Sequence, residues 1–208
     1  MRAGRVVRRL VIGAVLGATP PGHAAELWRG NFVANAHGLY LSPCRTGERL
    51  RVEDATDARD LAELYAALAE RPGRPIFVEL EGRREGRRIR AAALRRAVAG
   101  GAGCAEDLVG VRLRAAGGPP PWWLELRSDG ARVRLGPASP MRFPAAAFDR
   151  QGGQWHYEAA EGRSVLRVRA VEERCRDPLA RAVFPYRVTV EIDGVRRTGC
   201  GYPGDAGR

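Results

Sequence analysis

Cys44, Cys104, Cys175 and Cys200 are the residues of this chain whose type and spacing promise definite chemistry. An even number of cysteines in an exported chain forms disulfides; in a reducing compartment the same residues would be thiols or metal ligands. Three pairings exist on paper. The spacing favours Cys44–Cys104 and Cys175–Cys200, because each pair brackets a segment that reads as a self-contained unit. Zinc is the competing use, but no Cys-x-x-Cys occurs and only His37 and His156 lie beyond the first 25 residues. Neither a metal nor a cofactor is expected.

The remaining polar candidates read as structural. Nucleophilic catalysis needs a base within hydrogen-bond reach of Ser or Cys; the cysteines are spoken for and no Gly-x-Ser-x-Gly elbow is present. No catalytic residue is therefore expected, and the ligand-binding residues are left unassigned. His37 follows Asn35-Ala36 and precedes Gly38, the setting of a turn histidine. His156 lies between Trp155 and Tyr157 on a strand, so it points away from both rings and faces solvent. Glu79 and Glu81 share a strand face and read as partners for arginine rather than as an acid–base pair. Trp122-Trp123, after three prolines, would make a peptide or glycan ledge, but more simply one ring enters the core and the other covers an edge. Gly100-Gly101-Ala102-Gly103 lacks the strand-to-helix context of a phosphate loop.

Charge narrows the partners. All 35 basic residues are Arg, set against 24 acidic ones, for a formal net charge of +11. Four of these arginines precede residue 25, leaving +7 on the rest. The absence of Lys, with abundant Ala and Gly, resembles the coding bias of a GC-rich genome more than selection for a polyanion. A solvated basic surface is expected, with contact to an anionic surface as the alternative. Arg2, Arg5, Arg8 and Arg9, then the apolar run Leu10–Ala18, then small residues to Ala25, have the three parts of a secretory signal peptide. The apolar run is about half of what a membrane-spanning helix needs. Cleavage after Ala24 or Ala25 and a periplasmic or secreted protein are expected, without a lipid anchor, since no Cys precedes Cys44. Export leaves no nucleic-acid partner expected.

The elements that must position these residues fall into two halves: residues 26–104 and 121–208, after a leader at 1–25 and with a linker at 105–120. In the first half, extended stretches at Leu27–Ala34, Leu39–Ser42 and Glu48–Val52 precede a helix from about Ala55 to Glu70. Asp54 reads as its N-cap, Asp57 and Asp60 favour its dipole, and Arg71-Pro72-Gly73 stops it. Leu61, Leu64, Tyr65 and Leu68 form its buried stripe. A strand alternating at Ile76, Val78 and Leu80 and a basic one near Arg87–Val98 follow. This order is that of a five-stranded OB-like barrel with one helix. The second half alternates around turns at Asp129-Gly130, Gly152-Gly153, Glu161-Gly162 and Asp193-Gly194, as a small antiparallel β-barrel or sandwich does. The fold class is β-rich, α+β.

Two motif sets carry a family resemblance. Phe32-Val-Ala-Asn-Ala-His37 and Ser42-Pro-Cys-Arg-Thr-Gly47 make the first half similar to the OB-like part of the NlpE (copper-resistance-like) lipoproteins. Cys175-Arg-Asp177, Pro185-Tyr186, Asp193-Gly194 and Gly199-Cys-Gly201 resemble the C-terminal signature of a family of bacterial envelope proteins; Pro178-Leu-Ala-Arg181 replaces the usual Gly-Met-Ser-Asp. The Cys-x-x-Cys linked to metal sensing in NlpE-like proteins is absent, so copper binding is not carried over. The resemblance implies a non-enzymatic envelope protein that acts by binding an envelope ligand or protein still to be identified. Two alternatives remain. Small disulfide-bonded barrels of the lysozyme-inhibitor type resemble the second half, although a basic chain is poorly matched to basic lysozymes. Aromatic and Arg side chains on an OB-like barrel would also hold an anionic glycan or other polyanion.

Overall fold

Apolar side chains at Phe32, Leu41, Leu50, Val52, Val78, Leu80 and Ile89 alternate with outward residues, which turns one face of five strands into a shared interior. In the computed structural model, which describes residues 25–100 and 102–207, these strands are β1 (Glu26–Asn35), β2 (Gly38–Pro43), β3 (Leu50–Asp54), β4 (Ile76–Glu85) and β5 (Arg88–Val98). β1 pairs with β2 and β4, β2 with β3, and β4 with β5, all antiparallel; β3 closes the ring by pairing with β5 in parallel. A closed five-stranded order with a helix between the third and fourth strands is an OB fold. The expected leader at 1–25 lies outside the described residues, apart from its last residue, Ala25.

The helix is shorter than its sequence pattern predicts: α1 spans Leu61–Leu68. Asp60, not Asp54, is its N-cap residue, and the Asp54 carboxylate reaches the first helical amide from a distance. That carboxylate accepts hydrogen bonds from the Thr56 amide and hydroxyl (3.1 and 2.6 Å) and from the Leu61 amide (2.9 Å). Residues 55–60 are thereby drawn into a turn, with Arg59 in the left-handed region at φ 49°, so the helix begins six residues later than expected. Asp57 thus lies before the helix rather than in its first turn. Asp60, next to the first helical residue, gives no side-chain cap; its carboxylate holds Arg174 at 2.7 and 3.2 Å instead. The buried stripe Leu61, Leu64, Tyr65 and Leu68 is as predicted.

Nine further strands follow: β6 (Val111–Gly117), β7 (Trp122–Arg127), β8 (Gly130–Leu135), β9 (Met141–Pro144), β10 (Phe148–Gln151), β11 (Gln154–Glu161), β12 (Ser164–Asp177), β13 (Ala182–Ile192) and β14 (Val195–Tyr202). They run antiparallel in the order β9-β8-β7-β6-β14-β13-β12-β11-β10 around one core built on Leu113, Trp122, Leu124, Leu166, Val188 and Val190. The ends of this sheet meet where Tyr157 of β11 donates to the Pro144 carbonyl of β9 at 2.7 Å. The 105–120 segment is corrected from a linker. Val111, Leu113 and Ala115 alternate inward, so β6 pairs with β7 and β14 as a full member of the sheet.

The two units share a seam. The start of β13 pairs with the end of β5 (Ala182 with Val98, Val183 with Ala97), and buried Val183 packs into the OB core. Arg181, in the left-handed region at φ 46°, donates to the Leu68 carbonyl at 2.8 Å.

Candidate functional site

The cysteines fall into the two favoured pairs. Cys44, just after β2, is bonded to Cys104, and Cys175 of β12 is bonded to Cys200 of β14 across β13, with Cα–Cα distances of 5.4 and 5.5 Å. Among the described residues no group of three or more His, Cys, Asp or Glu side chains is placed to hold a metal. His37 and His156 lie in separate depressions of the surface. Trp122 enters the second core and Trp123 stays half-buried on the outer face.

Glu79 and Glu81 both pair with arginine, but in different settings. Glu81 takes both ends of the Arg95 guanidinium at 2.6 and 2.9 Å near the surface. Glu79 is 1 % exposed, because β4 is covered on its outer face too: Gly103 lies so close to the Phe77 ring that a Cβ there would stand 2.3 Å from it. Glu79 pairs with Arg96 at 3.1 Å and Arg29 at 3.0 Å. Arg96, 2 % exposed, also holds Glu106 at 2.7 Å, and its guanidinium lies 4.8 Å from the Phe77 ring centre and 4.0 Å from that of Tyr202. Glu106 continues to Arg114 (2.7 Å) and accepts from the Tyr202 hydroxyl; Arg114 continues to Glu125 (2.6 Å). Burial opposes the charge on Glu106, but the Tyr202 hydrogen bond and the Arg96 charge outweigh it and hold the carboxyl below its ordinary value. Burial and the Glu106 bond push the Tyr202 hydroxyl up to about 12. Each carboxylate in this chain of charges is held by a guanidinium, so the network ties β4 to β7 and leaves no free acid or base.

Free valences appear elsewhere, on the OB barrel. The β1–β2 turn is fixed by Asn35, whose side-chain oxygen accepts from the His37 amide at 2.9 Å, and by Tyr40, whose hydroxyl donates to the His37 carbonyl at 3.2 Å. Gly38 at φ 126° completes it, next to the Arg51 guanidinium. Arg49 lies 4.1 Å over the Tyr40 ring. These residues and Arg87, from the β4–β5 turn, line a depression of about 480 Å³. Among the described residues no carboxylate lies within 4.0 Å of Arg49, Arg51 or Arg87. The nearby acids are engaged: Glu48 by Arg84 at 2.9 Å, and Glu53 by Arg88 and Arg90 at 3.5 and 3.8 Å. Arg51 also sits directly opposite Arg88 in the β3–β5 pair, a like-charge arrangement that costs stability. The first turn, strands β2 and β3, and the β4–β5 turn form the face on which OB barrels hold oligomeric ligands.

Tyr40, Arg49, Arg51 and Arg87 were not singled out from the sequence. The OB strand order alone would have placed them on this face; their lack of partners required the fold.

Residues 23–92 match the family model of the NlpE C-terminal OB domain. The match ends inside β5, so the first barrel is an NlpE-like OB domain and the second unit lies beyond the matched region. Neither the curated proteins nor the solved structures contain a match to the chain.

Proposed function

We propose that this chain is a non-enzymatic envelope protein, periplasmic or secreted, that acts by binding, with the OB barrel as its binding module and an anionic chain as its ligand. The NlpE-like domain and the two disulfides support the envelope setting. The observation that carries the binding reading is the trio Arg49, Arg51 and Arg87. Three guanidiniums without carboxylate partners, one stacked on Tyr40, crowd the OB ligand face. An anionic glycan or other polyanion relieves that repulsion, and its sugar or ring faces stack where Arg49 and Tyr40 already stack. Immobilised heparin serves as a test polyanion. The wild-type chain is retained above physiological salt, Arg49→Glu/Arg51→Glu elutes far earlier, and Arg132→Glu/Arg142→Glu, which reverses two directly opposed surface arginines of β8 and β9, elutes only slightly earlier. Equal shifts for the two double variants would reduce the patch to net charge alone.

A further inference from the structure

A depression of about 750 Å³ lies on the outer face of β10–β14 in the second unit. Strand register arranges its floor in two parallel rows. One row reads Glu158, Arg167, Glu191, Arg196 across β11 to β14. Every neighbour is of opposite charge, and the row satisfies itself, with ion pairs at 3.0, 3.8 and 2.8 Å.

The other row reads Asp149, His156, Arg169, Thr189, Thr198 across β10 to β14. Here an imidazole separates the carboxylate from the guanidinium, and hydroxyls fill the far end. None of these five side chains has a hydrogen bond or ion pair to another described residue. The result is a line of acceptor, donor and mixed polar groups about 4.8 Å apart, the spacing of adjacent strands. Three carboxylates offset three guanidiniums across the two rows, so a strongly charged ligand gains little. The apolar side chains beneath, Tyr157 and Val168, are 3 % and 2 % exposed, so an apolar ligand gains little either. What fits is a ligand whose groups each donate and accept along an extended chain.

We propose that this groove binds a neutral, hydroxyl- and amide-rich glycan chain, held by Asp149, His156, Arg169, Thr189 and Thr198, at a site separate from the anion-binding face of the OB barrel. The probe is a neutral tetrasaccharide of N-acetylglucosamine, titrated into the full chain and followed by calorimetry. Saturable one-to-one binding is expected. Arg169→Ala, at an exposed position, weakens it at least tenfold, Thr189→Val about threefold, and Arg51→Ala leaves it unchanged. A sulfated tetrasaccharide competes with heparin on the OB face and does not displace the neutral one. Absence of saturable binding, binding indifferent to both groove substitutions, or loss of binding on Arg51→Ala would overturn the proposal.

Discussion

Arg96 is the residue on which the connection between the OB barrel and the second unit turns. It lies between two aromatic rings, pairs with carboxylates from both sides of the seam, and is almost wholly withdrawn from water. Truncating it leaves Glu79 and Glu106 with one guanidinium each and opens a cavity between Phe77 and Tyr202. Arg96→Ala is expected to cost about 3–5 kcal/mol in urea unfolding, and Arg96→Met, which keeps the volume, less. Glu106 makes a pH-dependent contribution of known sign. Its carboxyl is held below the ordinary 4.5 in the fold, so the stability it adds is full above that pH and fades as acid brings the pH down through the folded value. Glu106→Gln should flatten the acid limb of the stability profile. Tyr202 acts in the opposite range: its hydroxyl, raised from 10.0 to about 12, contributes stability that is lost between those values as pH rises. Tyr202→Phe should remove that alkaline loss and, because the Tyr202 hydroxyl is one of the groups that hold Glu106 down, make the acid limb shallower without abolishing it.

Among the elements, α1 shows how a short sequence pattern misleads. Asp54, Asp57 and Asp60 look like the acidic start of one long helix, yet Asp54 ties Thr56 and Leu61 into a turn and Asp60 belongs to Arg174. Asp54→Ala is expected to cost about 1–2 kcal/mol, the scale of a lost cap, whereas Asp57→Ala should stay within about 0.5 kcal/mol; thermal unfolding separates the two. The OB barrel was legible from the sequence because Ile76, Val78 and Leu80 alternate with polar Glu79 and Glu81, β3 alternates in the same way, and the helix carries a four-residue stripe. β9 and β10 were not, because four residues give no period to read. β6 was hidden by the Gly117-Gly118 and Pro119–Pro121 run after it, which reads as a linker. The binding face was invisible for a different reason. Whether Arg49, Arg51 and Arg87 are neutralised depends on Glu48 being taken by Arg84, 36 residues away, and on Glu53 being shared by Arg88 and Arg90.

At the scale of the whole molecule, the OB barrel and the second unit are joined by main chain, core and charge together. β13 extends the OB sheet and delivers Val183 to its core, while Arg174 and Arg181 reach back to Asp60 and Leu68. Val183→Asp in β13, which places a charge in the OB core, should therefore unfold the OB barrel as well as the second unit, seen as one calorimetric transition shifted down by more than about 4 °C. Binding of an anionic chain by Arg49, Arg51 and Arg87 is the central claim, and the salt dependence of that binding tests it most directly. Each guanidinium that pairs with the polyanion displaces counterions, so the slope of log affinity against log salt counts the pairs. With a defined heparin oligosaccharide the wild-type chain should bind saturably at physiological salt, and Arg49→Ala, Arg51→Ala and Arg87→Ala should each lower the slope by about a third. A slope indifferent to all three substitutions, or binding that never saturates, would contradict it.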